Sequence, residues 1–276
     1  MFKRRPSSLA PVVLVVAAVL LIGSLRMGAQ DPALPKEQMA SFLLTAKVVG
    51  SYEISKGVTH PWRLTLTDGT LKHDAKFQAI NERKPSISFA SGGGEVNFVD
   101  SYLYNLAAYR VAELLGLDDI MPVTVERKWK GNPGSLEWWI DDVKFEEGER
   151  LKLKAQPPDP VEWNNQMHRQ RVFSQLVYDT DRNLGNVIIT NSWKIWMFDF
   201  TRAFRLYKQI KSPGDLQRCD RKLLEKLRAL TLELVTAHTR DFLTKPEIEA
   251  VMTRRDLLVK HFDTLIAAKG EQAVLY

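Results

Sequence analysis

The sequence predicts an α+β chain of two lobes, a small β-rich one followed by a mainly helical one. Three observations predict it. Alternating apolar residues on either side of Asp68-Gly69 read as a hairpin in the first hundred residues. A second hairpin, Val187–Thr190 and Lys194–Phe198 about an Asn191-Ser192 turn, follows the polar loop 179–186. The last third is Leu-rich with helical spacing. With 276 residues, 45% of them hydrophobic, the chain can bury a full core as one bilobal domain, or at most two domains.

The first 29 residues read as a targeting segment. Lys3-Arg4-Arg5 precedes fourteen mostly apolar residues from Leu9 to Ile22, and small or polar residues follow as far as Gln30. That length suits a signal-peptide core better than a spanning helix. Cleavage after Ala29 would put Met27 at the −3 position, a poor site, so an uncleaved anchor through residues 9–25 is the alternative. In either case the basic flank stays inside, and the folded part is expected outside the cytoplasm: periplasmic, secreted or held at the inner membrane. The formal charge of +6 owes four charges to this segment, leaving +2 for the rest. No basic block interleaved with aromatics is present, so a nucleic-acid partner is not expected. A single cysteine, Cys219, excludes an intramolecular disulfide.

Residues 30–50 read as a linker with a short helix around 36–47, residues 51–145 as the small lobe and 146–276 as the large lobe. The first hairpin runs through Trp62, Leu64 and Leu66, then His73, Ala75 and Phe77. Ser91-Gly92-Gly93-Gly94 has no Lys-Ser/Thr after it and reads as a flexible loop. Asp100-Ser101 caps a helix that buries Leu103, Leu106, Ala107, Val111 and Leu114 and stops at Gly116. Pro122–Arg127 is the next strand. Pro157-Pro158-Asp159-Pro160 leads into a helix carrying Trp163, Met167, Phe173 and Leu176. Helices follow over 220–239, and Thr244-Lys245-Pro246-Glu247 forms a capping box for another.

The chemistry lies at the second hairpin. Asp181 and Asn186 stand five residues apart on the loop, and the hairpin returns the chain at Asp199-Phe200. Two carboxylates and a carboxamide therefore meet at one end of a small ribbon. Phosphoryl transfer uses such a set, one Asp to orient a hydroxyl and an Asn and an Asp to hold a metal ion against phosphates. A polar turn without chemistry would use the same residue types, but would not need the closing Asp199. No Gly-x-Ser-x-Gly, metal-binding Cys motif or metal-ligand histidine spacing competes with this reading.

Asp181-Arg182-Asn183-Leu184-Gly185-Asn186, with Asp199-Phe200 after a strand, resembles the catalytic loops of atypical kinases: phosphoinositide 3-kinases, secretory-pathway casein kinases and HipA-type toxin kinases. The stretch 58–205 is similar to one bacterial branch of that group. The resemblance implies a protein-kinase-like fold, ATP and Mg²⁺ or Mn²⁺ as cofactors, and a protein or small-molecule hydroxyl as acceptor. It implies Asp181 as the residue that orients the nucleophile, and Asn186 and Asp199 as metal ligands. Arg182 would contact a phosphate or anchor the loop, and Gly57 would let the first hairpin's backbone approach the phosphates. Gly134–Ile140 would enter the hinge that meets adenine.

The resemblance fails at one place. The phosphate-holding Lys expected after the aromatic of the second small-lobe strand is Gln78, and its Glu partner is Asn105. Lys76, on the same face as Gln78, and Lys72, two steps further back, are either substitutes on that strand, with Glu113 as a partner for one of them, or exposed surface residues. Three readings follow: an exported, metal-dependent phosphotransferase, a pseudokinase that binds a nucleotide or a partner without turnover, and transfer of another nucleotide part such as AMP.

Overall fold

The computed structural model describes residues 34–55, 60–88, 92–181 and 184–276. The targeting segment and its tether at 9–25 lie outside these residues. Among the described residues no helix is long and apolar enough to cross a membrane. Pro35–Tyr276 form one unit.

Helix α1 (Lys36–Thr45) buries Phe42 and Leu43 and leads straight into β1 (Lys47–Glu53), so the sheet begins inside the stretch read as linker. Strands β2 (Trp62–Thr67) and β3 (Lys72–Gln78) pair antiparallel, and their alternation sends Leu64, Leu66, Ala75 and Phe77 into the core. The turn between them is held by the Asp68 carboxylate, which accepts from the N–H groups of Thr70 (2.9 Å) and Leu71 (2.8 Å). A ribbon of β4 (Asn81–Ser88) and β5 (Gly94–Ser101) then hands the chain to α2 (Tyr102–Leu115). Ser101 caps α2 through Leu103 N–H, and Gly116 ends it in the left-handed conformation (φ 67°). Strands β6 (Thr124–Trp129) and β7 (Asn132–Trp138) complete an antiparallel sheet of order β1-β2-β3-β7-β6, on which α2 packs.

Short β8 (Val143–Glu146) and α3 (Glu147–Lys152) lead to α4 (Pro160–Val177), capped by Asp159. The hairpin of β9 (Val187–Thr190) and β10 (Ile195–Met197) joins β8 in a three-stranded sheet of order β10-β9-β8. Helices α5 (Arg221–Ala229), α6 (Leu232–Thr239), α7 (Lys245–Lys269) and α8 (Glu271–Val274) finish the chain, with the expected capping box at Thr244 and Glu247. Strands first and helices last give the α+β, two-lobed arrangement that the sequence predicts.

The ribbon β4–β5 was not expected from sequence. Strand β4 begins Asn-Glu-Arg-Lys-Pro-Ser and is almost wholly exposed, so no apolar alternation announces it. Its partner strand ends in buried Phe98 and Val99. Ser91 lies outside the described residues, while Gly92 and Gly93 take positive φ (91° and 81°) at the ribbon's tip.

Candidate active site

Helix α4 ends at Tyr178, which turns left-handed (φ 47°) and releases the polar loop. The loop is closed on itself. The buried Asp179 accepts from Asp181 N–H (3.0 Å), and the Asn186 carboxamide donates to the Asp181 carbonyl (2.9 Å), which orients the buried Asn186 side chain. Asp181 itself is exposed. The hairpin that follows pairs Met197 with Val187, and Phe198 N–H reaches the Asn186 carbonyl at 3.4 Å. Asp199 therefore comes next to the loop that holds Asp181 and Asn186. Its backbone is left-handed (φ 60°), an uncommon state for a residue other than glycine, of the kind that clusters at functional sites. Below it Phe200 is buried edge-on against Phe173, with ring centroids 5.4 Å apart.

The small lobe reaches this point through polar side chains. Gln78 donates to Asp199 at 3.5 Å, and Thr201 donates to the same carboxylate oxygen at 3.3 Å. Asn105 of α2 donates to Gln78 (2.9 Å) and to Ser135 (3.1 Å), and accepts from Phe200 N–H (2.7 Å). The two residues standing for the missing ion pair thus touch, as an amide pair.

Lys76 lies one step from Gln78 on the same strand face. Its ammonium is 3.6 Å from Glu137 on β7 and 5.1 Å from the Phe198 ring centre, and it is buried without a hydrogen bond. Glu137 is 4% exposed, and burial pushes its carboxyl above the ordinary carboxylate range. The Lys76 charge opposes that rise and the Asp199 charge adds to it. Lys72 is exposed at the far end of β3, opposite Thr67. Glu113 corrects an expectation, because it pairs with Arg110 one turn back on α2 (2.8 Å) and with neither lysine. A helix position seven or eight residues beyond Asn105 lies too far along the axis to reach the same strand residue.

Two groups here were missed by sequence. Glu137 was read only as part of a hinge segment, though the alternation Ser135, Glu137 against Leu136 would have set it on the Lys76 face. Asp100, read only as a cap, sits beside Thr201. Burial raises its carboxyl pKa, and the Asp199 and Asp181 charges raise it further. Trp138 and Trp139 of the hinge segment pack: Trp138 stacks on His73 with centroids 3.8 Å apart, and Trp139 lies 4.1 Å from the Arg63 guanidinium. Gly57 and Arg182 lie outside the described residues. Among the described residues no three His, Cys, Asp or Glu side chains gather as a metal cluster. Asp199 and Asn186 are hard oxygen donors of the kind that hold Mg²⁺ or Mn²⁺ when phosphates supply further ligands.

Neither a protein-family model nor a curated protein matches the sequence. Solved structures do. A hydra Fam20 solved with sugar superposes with a TM-score of 0.63 at 13% identity, over 89% of this chain and 93% of that one. A Golgi casein kinase with Mn and ADP bound gives 0.61 at 10% identity, over 87% and 78%. The Helicobacter pylori proinflammatory kinase CtkA gives 0.50 at 9% identity, over 82% and 98%. The chain has the fold of these atypical kinases.

Proposed function

We propose that this protein is an exported, metal-dependent phosphotransferase that moves phosphate from ATP to a hydroxyl of a protein or a small molecule. The observation that supports the reading is the return of the hairpin, through Phe198 N–H to the Asn186 carbonyl, which brings the left-handed backbone of Asp199 beside the loop of Asp181 and Asn186 within a kinase-like fold. In this reading Asp181 orients the acceptor hydroxyl and takes up its proton, while Asn186 and Asp199 hold the cation that neutralises charge on the phosphates. Lys76, a buried ammonium without a hydrogen bond, fits a phosphate oxygen as its missing acceptor. Arg182 and Gly57 would add contacts to the phosphates. The N-terminal basic and apolar segment supports export, and the Golgi kinase among the structural neighbours agrees with an extracytoplasmic setting.

The neutral pair Gln78–Asn105 supports a second reading, a pseudokinase that binds nucleotide or a partner without turnover. Calorimetric titration of ATP and ADP, with Mg²⁺, with Mn²⁺ and with chelator, tests the first requirement of both. Metal-dependent nucleotide binding is expected. No binding under any of these conditions would remove the phosphotransfer reading and leave only partner binding. Transfer of labelled γ-phosphate to any acceptor, itself included, then separates the two.

A further inference from the structure

We infer that Glu137 is the positioning residue for the phosphate-gripping Lys76, so that the grip is braced by the β-sheet and does not depend on helix α2. The inference rests on the phosphotransfer reading for the identity of the gripped group. Its structural basis does not.

In protein kinases the strand lysine is held by a glutamate from the small-lobe helix, and movement of that helix makes or breaks the pair. Here the corresponding helix offers Asn105, and all its contacts are neutral: Gln78, Ser135 and the Phe200 N–H. The charged pair has moved into the sheet. Lys76 and Glu137 are directly opposed cross-strand partners on β3 and β7, with side chains 12% and 5% exposed and their charged atoms 3.6 Å apart. Cross-strand partners stay in register as long as the sheet does. A separation of 3.6 Å without a hydrogen bond leaves the Lys76 donors able to turn to a phosphate while Glu137 keeps the ammonium in place.

The arrangement divides two tasks. Lys76 and Glu137 serve the phosphates from the sheet. Asn105 serves the metal side, since its bond to Phe200 N–H holds the residue after Asp199 and its bond to Gln78 reaches the Asp199 carboxylate. Swinging α2 would therefore disturb Asp199 and leave the Lys76 pair intact.

The test is the nucleotide dissociation constant of the full chain, measured with ADP in chelator and again with Mn²⁺. For Lys76→Met and Glu137→Gln, binding should weaken about tenfold or more in both conditions, with the gain from Mn²⁺ unchanged. For Asn105→Ala, binding in chelator should weaken much less than for Lys76→Met, while the gain from Mn²⁺ shrinks several-fold. Removing one member of a buried pair endangers folding, so the double variant Lys76→Gln/Glu137→Gln, which leaves no buried charge, carries the same comparison and should bind as weakly as Lys76→Met. Glu137→Gln binding like wild type, or Asn105→Ala weakening the chelator value as much as Lys76→Met does, would overturn the inference while the phosphotransfer reading stands. Absence of ADP binding by the wild type in both conditions would overturn both.

Discussion

Asn105 donates to Gln78 at 2.9 Å where helix α2 meets strand β3, and its carbonyl oxygen accepts from Phe200 N–H at 2.7 Å. One carboxamide thus ties the small-lobe helix, the central strand and the segment that carries Asp199. Both of its ends are used, and the residue is buried. An amide can bridge a donor and an acceptor in this way, whereas a glutamate at the same place could only accept.

Asn105→Leu should therefore destabilise the protein by about 2–4 kcal/mol, because it removes three hydrogen bonds of one buried side chain, to Gln78, to Ser135 and from Phe200 N–H. Chemical denaturation of the purified chain reads this directly. A change under about 0.5 kcal/mol, the range of an ordinary surface substitution, would show that the bridge is not holding these elements together.

Asp199→Ala and Asp181→Asn should differ in kind. Loss of Asp199 removes a charged metal ligand, so metal-dependent nucleotide binding and turnover should fall together. Asp181→Asn should leave nucleotide affinity within about twofold while turnover drops a hundredfold or more, the usual span of a positioned acid–base group. Phosphate transfer that survives both substitutions would put the chemistry on other residues.

The residues of this site differ in how legible they were. Asp181, Asn186 and Asp199 stand out because a polar loop, two short β-branched runs and a two-residue turn are local signals, and a hairpin fixes where its ends meet. The alternation about Leu136 shows the face of Glu137, but not its neighbour, because Lys76 lies across a strand pair 61 residues apart. The wrong partner, Glu113, was attractive because helix spacing is visible in sequence and sheet pairing is not. The same limit hid β4, an exposed polar strand with no apolar alternation, and α3, six residues with too few turns to show a period.

Arg254 of α7 is wholly buried and donates to the carbonyls of Leu176 (2.7 Å), Arg205 (2.9 Å) and Tyr207 (2.6 Å). It fastens the segment after Asp199 to the end of α4. Burial lowers its pKa to about 10, still protonated at neutral pH. Arg254→Met keeps most of the side-chain volume but strips three carbonyls of their donor, and should cost about 3 kcal/mol or more. A melting curve matching wild type would show that these carbonyls find other donors.

Cys219 gives a pH prediction whose sign is fixed. The thiol is fully buried, and burial pushes its pKa up to about 12 from the ordinary 9.0, with the nearby Asp220 charge acting in the same direction. Between pH 9 and 12 the folded chain keeps this proton while the unfolded chain loses it, so unfolding is favoured progressively as pH rises through that window. At pH 10.5 the term amounts to about 2 kcal/mol, from 1.36 kcal/mol per pH unit. Below pH 9 it vanishes, because both states hold the proton. Other groups also titrate at alkaline pH, Tyr102 among them with a pKa raised to about 12 by burial, so the comparison is between wild type and Cys219→Ala. The Ala variant starts lower at pH 7.5, having lost packing. It should then lose about 2 kcal/mol less than wild type between pH 7.5 and 10.5, measured by urea denaturation. Parallel loss in the two proteins would mean that Cys219 ionises in the folded state as it does in the unfolded chain. Such a thiol would also react with an aromatic disulfide reagent at pH 8 without prior unfolding, which the buried thiol should not do.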